Sequence, residues 1–147
     1  MNAVTLVRQI RARPSTVFEL LSTAEGIATW WGPDDLPVLA AEAAAHVGGR
    51  YRVRFRTLDG AEHECAGEYL EVMAPVRIVM SWRWSSGGEA EEQGAVSRLE
   101  MHLRPIDTGT ELTLVHTQLR NAASVASHRG GWSGALDKLE AQLEQVV

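Results

Sequence analysis

The chain has 147 residues, of which 45% are apolar and 22% charged, the length and balance of one globular domain with a single core. Lys and Arg number 14 against 19 Asp and Glu, a formal charge of −5, which argues against a nucleic-acid partner because such a surface is basic. No apolar run approaches the roughly 20 residues of a membrane span, the N-terminus MNAVTLVRQI lacks a signal-peptide core, and the lone Cys65 cannot form an internal disulfide, so a cytoplasmic protein without membrane insertion is expected.

Val4, Leu6 and Ile10, with polar residues between them, predict a first strand. Pro14 suits the first turn of a short helix, where its missing N–H costs nothing, and Val17, Phe18, Leu20 and Leu21 supply an apolar face. Thr23 is placed to cap a second short helix carrying Ile27, Trp30 and Trp31, which Gly32-Pro33 ends. The Ala-rich stretch 39–45 is the one low-complexity segment.

Residues 49–72 are the most informative. Tyr51, Val53 and Phe55 alternate with Arg50, Arg52, Arg54 and Arg56, the period of a strand with one buried face. Leu58-Asp59-Gly60 then reads as a three-residue hairpin loop with glycine at the left-handed position. Pairing Thr57 with Ala61 sets Arg56 against Glu62, Arg54 against Glu64 and Arg50 against Glu68 on the outer face. The same register sets Phe55 against His63, Val53 against Cys65 and Tyr51 against Gly67 inside. A one-residue slip would bring Phe55 against Glu64, so charge selects the register. Opposed by three glutamates, the arginine row is a solvated ion-pair ladder rather than a phosphate site.

Beyond a turn at Ala74-Pro75, Ile78, Met80, Trp82 and Trp84 alternate with Arg77, Val79, Ser81 and Arg83, and residues 85–94 form a Gly/Ser/Glu-rich loop. Leu99, Met101 and Leu103 point inward from the next strand, and Leu112, Leu114 and His116 from the last. The Asp107-Thr108-Gly109 turn joins these two strands, which places Arg104 opposite Glu111 and His116 opposite Leu99. Trp132, Ala135, Leu136, Leu139, Leu143 and Val146 recur at helical spacing, with Asn121 as cap. That helix encloses Gly130-Gly131, where close packing or ligand approach is expected, since two interior glycines cost roughly 1 kcal/mol each relative to alanine.

These elements predict an α+β fold: a curved antiparallel sheet of six to seven strands wrapped around a long C-terminal helix, with two short helices after the first strand. Three features look like the SRPBCC superfamily, also called START-like or helix-grip. The first is Trp30-Trp31-Gly32-Pro33 followed by Val47-Gly48-Gly49-Arg50-Tyr51. The second is Gly67-Glu68-Tyr69-Leu70-Glu71-Val72 with Leu112-Thr113-Leu114-Val115-His116. The third is His128-Arg129-Gly130-Gly131-Trp132 with Leu136-Asp137-Lys138-Leu139. The branch it resembles is named for the C-terminal domain of the activator of the heat-shock chaperone ATPase. The resemblance covers residue 4 to the C-terminus and implies one START-like domain over 1–147, with an apolar cavity between sheet and helix. It brings in a chaperone as a candidate partner, although the separate N-terminal chaperone-binding domain of the eukaryotic activators is not expected within 147 residues.

Chemistry is sparse. The five histidines form no HxxxH or HExxH pair, His63 and Cys65 lack a third ligand, and no metal or cofactor is expected. Gly131-Trp132-Ser133-Gly134 lies within a helix and is no nucleophile elbow, and Gly48-Gly49 lacks the residues of a phosphate loop. The expected cavity residues are Trp31, Tyr51, Phe55, His63, Tyr69, Met80, Trp82, Trp84, Met101, His116, Trp132 and Leu136. With large apolar side chains and few polar ones, they point to binding of a small hydrophobic or aromatic molecule. No catalytic residue is assigned. The alternatives are a cyclase- or hydrolase-like enzyme, which requires Tyr51, His63 or His116 to converge on one substrate atom, and a chaperone-activating stress-response protein. A homodimer is retained among the candidate assemblies.

Overall fold

The computed structural model describes residues 2–88 and 90–144. Seven strands form one antiparallel sheet: β1 (Val4–Ile10), β2 (Ala40–Ala43), β3 (Arg50–Arg56), β4 (Glu62–Met73), β5 (Arg77–Ser86), β6 (Ser97–Ile106) and β7 (Gly109–Thr117). Their order across the sheet is β1-β7-β6-β5-β4-β3-β2. Helices α1 (Pro14–Ser22) and α2 (Ala24–Ile27) follow β1, and α3 (Ala122–Glu144) closes the fold. This is the α+β architecture that the alternating patterns predict, and the helix-grip fold that the resemblance implies.

Local chemistry accounts for most boundaries. Pro14 opens α1, the Thr23 side chain accepts from the Gly26 N–H at the start of α2, and Asn121 Oδ1 accepts from the Ser124 N–H at the start of α3. The β3–β4 register is the predicted one throughout, from Arg56↔Glu62 to Arg50↔Glu68, and Gly60 takes the left-handed conformation (φ 87°). The ladder runs partly on the diagonal: Glu62 pairs with Arg54 (3.1 Å) and Arg56 (2.9 Å), and Glu64 with Arg52 and Arg54. Arg104 meets Glu111 at 3.0 Å, as its register requires. Two register shifts in the β4–β5 ladder, at Glu64/Cys65 and Tyr69/Glu71, bend the sheet around the core.

Three expectations need correction, and one strand is additional to the predicted elements. The second short helix stops at Ile27, so Trp30 and Trp31 lie on the turn that follows, with both indoles buried. The Ala-rich stretch supplies an edge strand, β2, through pairing with β3. Val79, on the outer face of β5, is buried because its neighbours Glu71 and Glu100 are held over the sheet by Arg77 and Arg98. In α3, a side chain at Gly130 would meet nothing within 4 Å and one at Gly131 only Pro33 at 3.9 Å, whereas a Cβ at Gly134 would lie 2.2 Å from the Pro33 carbonyl oxygen. Of the two expectations for Gly130-Gly131, the close packing falls one turn later, at Gly134, while Gly131 borders open space. Val146 lies outside the described residues.

The core sits between the concave face and α3. Tyr51, Tyr69, Met80, Leu99, Met101, Leu114, Leu136 and Leu139 fill it, each almost wholly removed from water. Arg8 of β1 ties down the outer side of α3 through Asp137 (2.8 Å) and Glu140 (2.6 Å). On the other side, Lys138 Nζ donates to the carbonyls of Trp31 (3.0 Å) and Asp34 (2.7 Å). The helix is thus held against both ends of the N-terminal segment.

Candidate functional site: an aromatic cleft under the C-terminal helix

Where β3, β4 and β5 reach past the packed core, the sheet and α3 separate and leave a cleft of about 240 Å³. Its walls come from four places. Phe55, Thr57 and His63 come from the hairpin, Trp82, Trp84 and Gly88 from β5 and its loop, Trp31-Gly32-Pro33 from the turn after α2, and Ser127, His128, Gly131, Trp132 and Ala135 from α3. Period-2 alternation brings Trp82 and Trp84 to one face, and helical spacing aligns His128, Trp132 and Ala135 opposite them.

The aromatic rings form a continuous surface. Trp31 stacks on Trp82 at 5.7 Å between centroids, and Trp132 meets Trp31 at 5.4 Å and Trp82 at 5.2 Å edge to face. Trp84 stands perpendicular to Trp82 at 5.5 Å and contacts Phe55 and His63. These are the offset and T-shaped arrangements that the ring quadrupoles favour.

Of the twelve residues expected in the cavity, Trp31, Phe55, His63, Trp82, Trp84 and Trp132 line this cleft, whereas Tyr51, Tyr69, Met80, Met101, His116 and Leu136 lie in the closed core behind it. Gly32, Pro33, Thr57, Gly88, Ser127, His128 and Ala135, outside those twelve, complete the wall together with Gly131, at the glycine pair where close packing or ligand approach is expected. The Trp-Trp-Gly-Pro and Gly-Gly-Trp blocks carried a signal for several of these, because the residues flanking each tryptophan share its surroundings.

The polar groups near the cleft are held apart. Tyr51 Oη donates to the Ser81 carbonyl at 2.6 Å, and burial pushes its phenol well above the ordinary range. His63 Nδ1 accepts from the Gly88 N–H at 2.7 Å, so in the neutral ring Nε2–H donates to Thr57 Oγ1 at 3.0 Å. Thr57 Oγ1 in turn donates to Asp59, which lowers that carboxyl's pKa.

His116 is completely buried. Its Nδ1 accepts from Trp132 Nε1–H at 3.0 Å, which leaves Nε2–H to donate to Ser97 Oγ at 2.7 Å. Desolvation, with a smaller contribution from the neighbouring His128, holds its pKa well below that of free imidazole. The buried Cys65 thiol donates to the Val53 carbonyl at 3.7 Å, and desolvation pushes its pKa up.

Tyr51, His63 and His116 thus each bond to different partners and do not converge on one position. Among the described residues, no group of three His, Cys, Asp or Glu side chains could hold a metal ion, and no helix is long and apolar enough to cross a membrane.

Comparison with known proteins places this geometry among relatives. The family model for activator of Hsp90 ATPase homolog 1-like protein matches residues 11–144. Among solved structures, protein CV1439 from Chromobacterium violaceum is 26% identical with a TM-score of 0.84, over 98% of this chain and 99% of that one. An AHSA1 protein from Silicibacter pomeroyi is 24% identical with a TM-score of 0.85, over 99% of each chain. Protein MLL2253 from Mesorhizobium loti is 21% identical with a TM-score of 0.79, over 99% and 98%. The latter two likenesses are of fold. Among curated proteins, no sequence matches significantly.

Proposed function

The chain belongs to the activator of Hsp90 ATPase homolog 1-like family, and on that premise we propose that it is a binding protein for a small hydrophobic or aromatic molecule held in the cleft under α3. The observation that carries this reading is the cleft wall itself, in which four of the chain's five tryptophans and Phe55 surround about 240 Å³. Drug-sized ligands occupy pockets of roughly 300–1,000 Å³. A smaller cleft suits a molecule of one or two rings better than a sterol or a long acyl chain.

Four indoles at the wall make the site its own reporter. Titration with naphthalene-sized aromatics is expected to change intrinsic tryptophan emission saturably, with calorimetry giving the same affinity, while sterols leave both unchanged. Absence of heat and of emission change across one- and two-ring compounds would remove the reading. A catalytic role lacks comparable support, because Tyr51, His63 and His116 bond to separate groups. The family description also names an ATPase activator. Stimulation of that chaperone's ATPase by the chain is the measurement that would add this second role.

A further inference from the structure

Three of the residues at the cleft wall have a buried polar atom with no partner: Trp82 Nε1, Trp84 Nε1 and His128 Nε2. Their rings form a triangle, with centroids 5.5 Å apart for Trp82 and Trp84, 6.4 Å for Trp82 and His128, and 6.0 Å for Trp84 and His128. Trp82 and His128 are each at least 95% buried. By contrast, the indoles of Trp30 and Trp132 are engaged, Trp30 with the Leu20 carbonyl and Trp132 with His116. The buried indole donors without a partner are the two on β5, beside one histidine. Native proteins rarely leave buried polar atoms unpaired, and each such atom is destabilising until something pairs with it.

Hydrogen-bond chemistry specifies what could satisfy this set. An indole Nε1–H can only donate. His128 Nδ1 lies 2.8 Å from the Ser124 carbonyl, which can only accept, so Nδ1 carries the proton and Nε2 of the neutral ring is an acceptor. The triangle thus offers two donors and one acceptor, and a hydroxyl group answers both kinds because it donates once and accepts twice. An ether oxygen could accept from an indole but leaves His128 unanswered. A carboxylate does the same and brings an uncompensated charge into an apolar cleft.

Resting on the cleft as the binding site, we propose that its ligand is a hydroxyl-bearing aromatic of one or two rings, whose hydroxyl donates to His128 Nε2 and accepts from the indole N–H groups of Trp82 and Trp84. The ring lies along the Trp31, Trp132 and Phe55 side of the cleft. His128 is then the residue that separates phenolic from purely hydrocarbon ligands.

Three matched probes test this by calorimetry: 2-naphthol, 2-methoxynaphthalene and 2-naphthoate. The wild type is expected to bind 2-naphthol about tenfold more tightly than the ether, the scale of one hydrogen bond to a buried acceptor, and to bind the carboxylate most weakly. His128→Phe, which keeps a ring in place, is expected to bring 2-naphthol to the affinity of the ether and leave the ether unchanged. His128→Gln, which restores an acceptor, should recover part of the preference. A second readout needs no variant: the His128 Nε2 nitrogen resonance should move when 2-naphthol is added and stay in place with the ether.

Equal binding of 2-naphthol and its ether, or tightest binding of the carboxylate, overturns the hydroxyl assignment while leaving the cleft a binding site. Absence of binding by all three overturns the binding reading itself.

Discussion

Trp132 answers two demands with one side chain. Its ring fills the space between Trp31 and Trp82, and its N–H supplies the hydrogen bond that holds the neutral form of His116. Trp132→Ala removes both, and the expected loss is about 3–5 kcal/mol, together with a weakened response to aromatic ligands. Trp132→Phe keeps most of the ring and deletes the donor, so a loss of about 1–3 kcal/mol is expected from the unpaired His116 nitrogen. Leu139, fully buried but away from the cleft, is the control. Leu139→Ala should cost about 2–5 kcal/mol in urea melts and leave ligand affinity unchanged once the protein is folded. Wild-type ligand affinity in Trp132→Ala would exclude Trp132 from the site.

Three glycines give α3 different surroundings within little more than one turn. Gly130 faces open space, so Gly130→Ala should gain helix propensity with no steric penalty and stabilise by about 1 kcal/mol. Gly134 sits against the Pro33 backbone, where a methyl group would stand 2.2 Å from the carbonyl oxygen. Lys138, one turn further, donates to the carbonyls on either side of that turn, so the helix cannot retreat without breaking both bonds. Gly134→Ala should therefore destabilise by about 1–3 kcal/mol despite the better helix former. Parallel urea melts read both, and equal stabilisation would mean that α3 does not touch the Gly32-Pro33 turn.

The whole molecule's response to acid separates into two windows. His116 has a folded pKa below the ordinary imidazole value of 6.5, so the unfolded state binds more protons as the pH falls beneath that value. Its contribution is complete above about pH 6.5 and is lost progressively below it, with a slope of at most about 1.4 kcal/mol per pH unit. Glu100 behaves in the same sense but lower on the scale. The Arg98 hydrogen bond, with help from His102, holds its pKa below the carboxylate value of 4.5, so its contribution is lost as the pH falls through that range. Urea melts between pH 7.5 and 5 should show stability falling in the wild type and falling less in His116→Gln. An identical slope in the two proteins would mean that His116 is protonated without cost.

What the sequence determined by itself is everything carried by a repeating pattern. Charge alternation in Arg50–Arg56 against the glutamates of β4 selects the register, because a one-residue slip in either direction sets a carboxylate against Phe55. Helical spacing assigned the buried stripe of α3, and the tryptophan- and glycine-containing blocks identified the family. Periodicity tells which face a residue occupies, but not how far along that face the neighbouring layer stays in contact.

That distance is set where α3 crosses the sheet, held by Lys138, Arg8 and the approach at Gly134. The crossing separates Tyr51, Met80 and Met101 in the core from Phe55, Trp82 and Trp84 at the cleft, although all six alternate in the same way. It also brings His128 against β5, a contact between residues more than forty positions apart that no local pattern encodes. The edge strand β2 was equally hidden, since alanine carries little strand preference and the segment becomes a strand only through its hydrogen bonds to β3. Tertiary structure decided the site because a cleft is the place where two independently patterned surfaces fail to meet.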